Sequence, residues 1–231
     1  MRFEASFRLK ESLADRRGVA ITLGQTARLY HRWGRFAEAA DFYERDLDAI
    51  EKDTPDDVGA FIQVNNLRAE VARMVGDLLH AEECLQRSFA RLPELDGVPL
   101  GLSGGYTRLF RARLHLDQGW LGEVGHDLHL AAAAFSSRPA LRAEVDVEQA
   151  RLLLAQGGTD ALRNARELLD RARPVMNEEY SRFGLERVAA AVAAAVGDHA
   201  CATVAVERAR VAASALRNQW MLDRLREQFD H

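Results

Sequence analysis

Apolar residues recur along this chain at the three- and four-residue spacing of amphipathic helices, interrupted by short polar or glycine-containing segments. The pattern predicts a lone helix at residues 3–14, then five helix pairs, then a last helix at about 217–229. The predicted pairs are 18–33 with 36–52, 57–75 with 78–92, 104–118 with 121–136, 139–156 with 159–173, and 178–196 with 198–216. The hydrophobic pattern therefore predicts an all-α fold.

Five glycines punctuate this pattern at nearly regular intervals, with separations of 42, 43, 38 and 40 residues. They are Gly34, Gly76, Gly119, Gly157 and Gly197. Each stands between two predicted helices, where a glycine can take the left-handed conformation and permit a tight turn. The regular spacing indicates an internal repeat.

Small and large residues keep fixed distances from these glycines. Alanine stands seven residues before each of them, at Ala27, Ala69, Ala112, Ala150 and Ala190. Twelve residues after them come Asp46, Ser88, Ala131 and Ala209, and Ala172 takes this place in the fourth unit, whose turn is three residues longer. Two antiparallel helices approach closely only where side chains are small. The chain thus repeats one helix-pair design five times.

This arrangement resembles the tetratricopeptide repeat, most clearly in the first unit, LGQTARLYHRWGRFAEAADFYERDL. The period exceeds the usual value of about 34 residues and is similar to the long-repeat subgroup of kinesin light chains and many bacterial regulators. HEAT and armadillo repeats also have periods of about 40 residues or more, but the alanines around a tight glycine turn favour the tetratricopeptide type.

The resemblance implies one domain over residues 1–231, a right-handed superhelical solenoid of about five antiparallel helix pairs with terminal capping helices. Its repeats would span approximately 18–52, 57–92, 104–136, 139–173 and 178–216. Whether the chain is a whole protein or a piece of a larger one stays open at this stage.

The resemblance also implies that the first helix of each pair lines a concave groove that binds a partner. The candidate partner-binding residues are Arg28, Arg32, Gln63, Asn66, Arg73, Tyr106, Arg113 and Arg151. Arg28, Arg113 and Arg151 occupy the same place in three units, which suits an acidic peptide or a carboxylate terminus. The alternative is that the arginines pair with Glu70, Glu144 and Glu148 across the groove, and the sequence leaves both interpretations open.

Composition and motifs narrow the classes of function. The 31 basic and 35 acidic residues give a net charge of −4, which disfavours a nucleic-acid binder that relies on a basic face. No secretory signal or membrane-spanning run is visible, so a cytoplasmic protein is expected. His126 and His129 share a helix face but lack a third metal ligand, and GLSGG at 101–105 reads as a flexible linker. We therefore expect neither an enzyme nor a metal or cofactor site.

Two functional hypotheses follow. The first is an interaction scaffold that binds a peptide or protein segment in its groove. The alternative is a sensor or regulatory module of a larger bacterial signalling or transcription-regulating protein, which binds a signalling peptide or a small effector. The last helix carries Trp220 and Phe229 on an apolar stripe, which either caps the array or docks a second copy to form a homodimer.

Overall fold

The computed structural model describes residues 16–95 and 101–229, and within these ranges every regular element is helical. The α-helices are α1 (Arg16–Arg32), α2 (Phe36–Asp53), α3 (Val58–Val75), α4 (Leu78–Arg91), α5 (Leu102–Gln118), α6 (Val124–Ala134), α7 (Pro139–Gln156), α8 (Thr159–Ala172), α9 (Glu179–Ala195), α10 (His199–Ala215) and α11 (Gln219–Phe229). Short 3₁₀ helices follow α4 at Leu92–Glu94 and α8 at Arg173–Val175. No helix of the described ranges is both long and apolar enough to cross a bilayer.

The chain divides into two compact units, Met1–Leu114 and His115–His231, with the boundary inside α5. In the first unit α1 packs on α2, α3 packs on α4, and α2 also contacts α3. In the second unit α7 packs on α8 and α9 on α10, while α7 contacts both α6 and α9. The fold is therefore all-α and solenoid-like, a succession of packed helix pairs in each unit. The predicted helix at 3–14 lies outside the described residues.

The turn glycines and the buried alanines explain why the helices pair in this way. All five glycines have positive φ angles, 72° at Gly34, 85° at Gly76, 74° at Gly119, 72° at Gly157 and 77° at Gly197. Only a residue without a side chain adopts this conformation at little cost. The five alanines seven residues before them are buried, and their small size lets neighbouring helices approach. Both features were predicted from the sequence and are confirmed.

The segment GLSGG is not the linker that the sequence suggested. Helix α5 begins at Leu102, and its first turn is closed by the Gly105 N–H, which donates to the Gly101 carbonyl at 2.9 Å. Gly104 and Gly105 are both buried. Packing therefore outweighs the low helix propensity of glycine, which costs only about 1 kcal/mol per residue.

Helix α11 covers the end of the last helix pair. Met221 and Leu225 are fully buried against Phe183 of α9 and a small-residue face of α10, formed by Ala209, Ala212 and Ala213. The Asn218 side chain accepts a hydrogen bond from the Met221 N–H at 3.0 Å and starts the helix. Trp220 and Phe229 are partly buried at the margin of this cluster. The contacts match those of a capping helix.

Deleting residues 217–231 should expose the apolar face of α9 and α10. The free energy of unfolding should fall by about 2 kcal/mol, because the lost burial of two side chains is partly offset by the conformational entropy that no longer has to be lost on folding. Thermal unfolding and light scattering of the shortened chain would measure the loss and any aggregation. If the deletion instead converts a dimer into a monomer with unchanged melting temperature, α11 is a docking helix.

Candidate functional site

The sequence placed the candidate site on the first helices of the pairs, and the structure shows how those side chains are used. Seven of the eight candidate residues lie in the first unit, and Arg151 lies in the second. Arg28 and Arg32 on α1 and Gln63 on α3 are exposed, Asn66 is buried, and the remaining four are half-buried. These are Arg73 on α3, Tyr106 and Arg113 on α5, and Arg151 on α7.

Two of the half-buried arginines converge on one buried carboxylate of their own chain. Glu70 is 5% exposed and takes a bidentate contact from Arg73, whose Nε and Nη2 donate to its two carboxylate oxygens at 2.9 Å each. Arg113 of α5 brings its Nη1 to 3.8 Å from the Glu70 Oε1. Burial works against the charge of Glu70, but Arg73 and Arg113 outweigh it and lower its pKa to about 2. Both arginines are thus committed to an internal ion pair.

His31 belongs to the same buried cluster. Its ring meets Phe36 edge-on with centroids 5.9 Å apart, and Tyr43 at 6.5 Å. Burial lowers the pKa of His31 to about 4; the charge of Glu70 opposes this shift, and the charges of Arg73, Arg113 and Arg32 add to it. The imidazole is therefore neutral at neutral pH.

The second unit repeats the pattern at Arg151. Its Nη1 donates to the buried Glu148 Oε2 at 2.7 Å, and its Nη2 donates to the Asp117 Oδ1 at 2.6 Å. The spacing Glu148 to Arg151 equals that of Glu70 to Arg73. An acidic ligand would have to displace these carboxylates before it could reach the arginine.

Asn66 lies inside the protein and contacts a neighbouring helix, not an open surface. It is buried, and its amide nitrogen donates to the Thr107 hydroxyl of α5 at 3.0 Å, while that hydroxyl donates to the Ser103 carbonyl at 2.8 Å. The Asn66 amide oxygen has no hydrogen-bond partner among the described residues. Tyr106 stacks on Phe110 with ring centroids 6.2 Å apart. Asn66 therefore links α3 to α5, whereas the half-buried Tyr106 stacks on a residue of its own helix.

A pocket remains open where α1 faces α3. It has a volume of about 240 Å³ and combines four exposed polar or charged side chains with apolar walls. These exposed polar or charged residues are Gln25 and Arg28 of α1, Gln63 of α3, and Asp57, which directly precedes α3. Helix α2 contributes Tyr43, Asp46 and Ile50, which are all buried. We call this cavity the α1–α3 pocket.

Asp46 is the unusual member of the α1–α3 pocket. Only 4% of it is exposed, yet its carboxylate forms no hydrogen bond or ion pair with another described residue. Burial raises its pKa to about 7, and the positive charge of Arg28 opposes that shift. Gly24 provides the space, because a Cβ at that position would come within 2.6 Å of the Asp46 Oδ2.

Sequence reasoning placed Asp46 in the repeat but assigned it no function. The signal was present in the repeat alignment, since the equivalent residues of the other units are Ser88, Ala131, Ala172 and Ala209. All four are buried and uncharged. A carboxylate at a helix-packing position reserved for small residues marks the first unit as different.

A second cavity lies in the second unit, between α8 and α10. This α8–α10 groove has a volume of about 510 Å³, and its apolar lining includes Val192 and Ala193 of α9 and Val196, which directly follows that helix. Four arginines border it, namely Arg163, Arg166, Arg173 and Arg208. Three of them already pair with acids, Arg163 with Asp160, Arg166 with Asp198, and Arg173 with Asp170 and Glu186.

Comparison with known proteins agrees with the helical architecture. No protein-family model and no curated protein sequence matches the chain. The crystal structure of BtubC (BKLC) from P. vanneervenii is similar over 93% of this chain and 89% of that chain, with a TM-score of 0.66 and 17% sequence identity. At this identity the likeness concerns the fold alone.

Proposed function

We propose that this chain is a tetratricopeptide-type interaction module that binds a peptide segment of a partner protein at the α1–α3 pocket. The observation that supports the proposal is the pocket itself, which is open and carries three exposed polar side chains on the first helices. Gln25 and Gln63 each offer an amide donor and an acceptor, which suits the backbone of a bound peptide. The apolar walls would receive a side chain of that peptide.

The proposal narrows the site expected from the sequence. Arg73, Arg113 and Arg151 form ion pairs with carboxylates of the chain, and Asn66 is buried. Displacing a buried ion pair leaves charges without partners, which costs several kcal/mol. Recognition is therefore assigned to Gln25 and Gln63, two exposed side chains of the α1–α3 pocket whose contacts with a peptide would break no such pair.

Selection of peptides from a displayed random library on the purified chain tests this function. Peptides that bind should lose about tenfold or more in affinity when Gln25 and Gln63 are both replaced by alanine, the equivalent of about 1.4 kcal/mol. The melting temperature should change little, since both side chains are exposed.

The matched control is the double variant Arg163→Ala, Arg166→Ala in the α8–α10 groove. It should bind the selected peptides as the parent does. If the control loses affinity and the glutamine variant does not, the binding surface is the α8–α10 groove. A library that yields no binding peptide would contradict the interaction function at either surface.

A further inference from the structure

We propose that Asp46 makes the α1–α3 pocket specific for a basic group, the ammonium or guanidinium of a lysine or arginine side chain of the bound peptide. The inference rests on the proposed function and names the class of ligand group that its site takes. It replaces the acidic preference expected from the sequence, because the arginines behind that expectation are engaged with carboxylates of the chain itself.

The first reason is that the buried Asp46 carboxylate makes no hydrogen bond or ion pair with another described residue. Removing a carboxylate from water without a compensating partner is costly. A purely structural residue at this position would be small and neutral, as it is at Ser88 and Ala131. A buried carboxylate that lacks a bonding partner and lines an open cavity is better explained by a ligand that pairs with it.

The second reason is Gly24, which faces Asp46 from α1. A glycine inside a helix costs about 0.5–1 kcal/mol relative to alanine. Here a Cβ would press on the Asp46 Oδ2 at 2.6 Å and close the space around the carboxylate. A glycine and a buried carboxylate, both locally unfavourable, thus lie side by side in the lining of the pocket.

The third reason is the balance of charges that face the cavity. The ionisable acids and bases lining it are Asp46 from α2, Asp57 at the start of α3, and Arg28 from α1. Asp57 uses its Oδ1 to accept the Ala60 N–H at 3.0 Å, and Arg28 makes no ion pair or hydrogen bond with any described residue. Two acids and one base favour the binding of a cation. Because Asp46 is buried, its attraction for that cation would be stronger than the attraction of an exposed carboxylate.

The ionisation of Asp46 gives the interaction a pH dependence. Burial raises the pKa of this carboxyl to about 7 against the opposing charge of Arg28, so at lower pH it is protonated and offers no charge to a cation. A bound cation favours the ionised form. Affinity for a basic peptide should therefore rise as the pH increases through about 7.

Three pools of short degenerate peptides test the specificity, with the central residue fixed as lysine, arginine or glutamate and binding followed by fluorescence polarisation. The lysine and arginine pools should bind the parent more tightly at about pH 8 than at about pH 6. Asp46→Asn should lower the affinity for both pools about tenfold and remove its pH dependence. Arg28→Ala should raise the affinity for both pools, because it removes a positive charge that repels the bound cation.

Asp48→Asn is the matched control, since this residue lies two positions further along α2 and is exposed. It should bind as the parent does. Gly24→Ala keeps the carboxylate but fills the space beside it, and it should also weaken the basic pools.

The results separate this inference from the function on which it rests. If the glutamate pool binds and Arg28→Ala abolishes its binding, the pocket is a peptide site for acidic groups and the cation inference is wrong. If Arg28→Ala weakens the lysine pool, Arg28 assists the guest or holds Asp46 in place, and the inference again fails. If no pool binds the parent, the peptide-binding function fails as well.

Discussion

Replacing Glu70 by alanine should lower the free energy of unfolding by about 3–5 kcal/mol, the cost of breaking a buried ion pair and leaving its partners without a counter-charge. Glu70 is 5% exposed and joins Arg73 of its own helix to Arg113 of α5. Its removal would leave two guanidinium groups close together beside the neutral ring of His31. Urea unfolding at neutral pH would measure the change.

Glu167→Ala provides the control, because Glu167 is exposed on α8 and pairs with no described residue. Its effect should stay within about 0.5 kcal/mol. Hydrogen exchange should locate the loss caused by Glu70→Ala in the first unit, at α3 and α5. Equal unfolding curves for the two variants would mean that water already solvates Arg73 and Arg113, and these arginines would then be available to an acidic ligand.

The same cluster should make the first unit sensitive to acid. Burial raises the pKa of Glu70, but the charges of Arg73 and Arg113 outweigh burial. They lower this pKa from its ordinary value of 4.5 to about 2 in the folded state. Its stabilisation is fully present above about pH 4.5 and disappears as the pH falls towards 2. In Glu70→Gln this part of the acid transition should be absent.

The repeat architecture could be predicted because its determinants are local in sequence. A glycine that ends a helix, and an alanine seven residues before it, can each be recognised at a single sequence position. Their five occurrences define where each repeat begins and ends. The helix predicted at 36–52 is observed at Phe36–Asp53, and the last helix predicted at about 217–229 is observed at Gln219–Phe229. Where glycines fell inside a helix, as at the start of α5, local propensity misled the prediction.

The use of the side chains could not be predicted, since it depends on distances between helices. Helical periodicity placed Arg113 and Glu70 on one face but left groove recognition and internal pairing open. The ion pair forms because α5 brings Arg113 within 3.8 Å of the Glu70 carboxylate. Asn66 likewise looked accessible until α5 supplied Thr107. Asp46 was assigned no function because small-residue positions of the repeat were interpreted only as helix-packing positions, although the other units have an uncharged residue there.

Asp46→Asn should raise the free energy of unfolding by about 4 kcal/mol near pH 8 and change it little near pH 4, since a pKa difference of one unit corresponds to about 1.4 kcal/mol. The pKa of Asp46 is raised by burial, against the charge of Arg28, from 3.8 to about 7. Between these values the folded state holds a proton that the unfolded state has lost, so this residue makes stability fall as the pH rises.

His31 should produce the opposite slope. Burial lowers its pKa from 6.5 to about 4, so between these values the unfolded state binds the extra proton and stability rises with pH by about 3 kcal/mol. In the parent chain the two slopes oppose one another and the profile should be nearly flat. Asp46→Asn should reveal the rise due to His31, and His31→Gln should reveal the fall due to Asp46.

Denaturant unfolding of the parent and these variants at a series of pH values would separate the two groups. Asp48→Asn, on the same helix and exposed, should follow the parent curve throughout. If Asp46→Asn runs parallel to the parent between about pH 4 and 8, the carboxylate is ionised in the folded state and already has a counter-charge. A stabilised Asp46→Asn chain would instead show that the native residue weakens its own fold, a cost that a bound cation would offset.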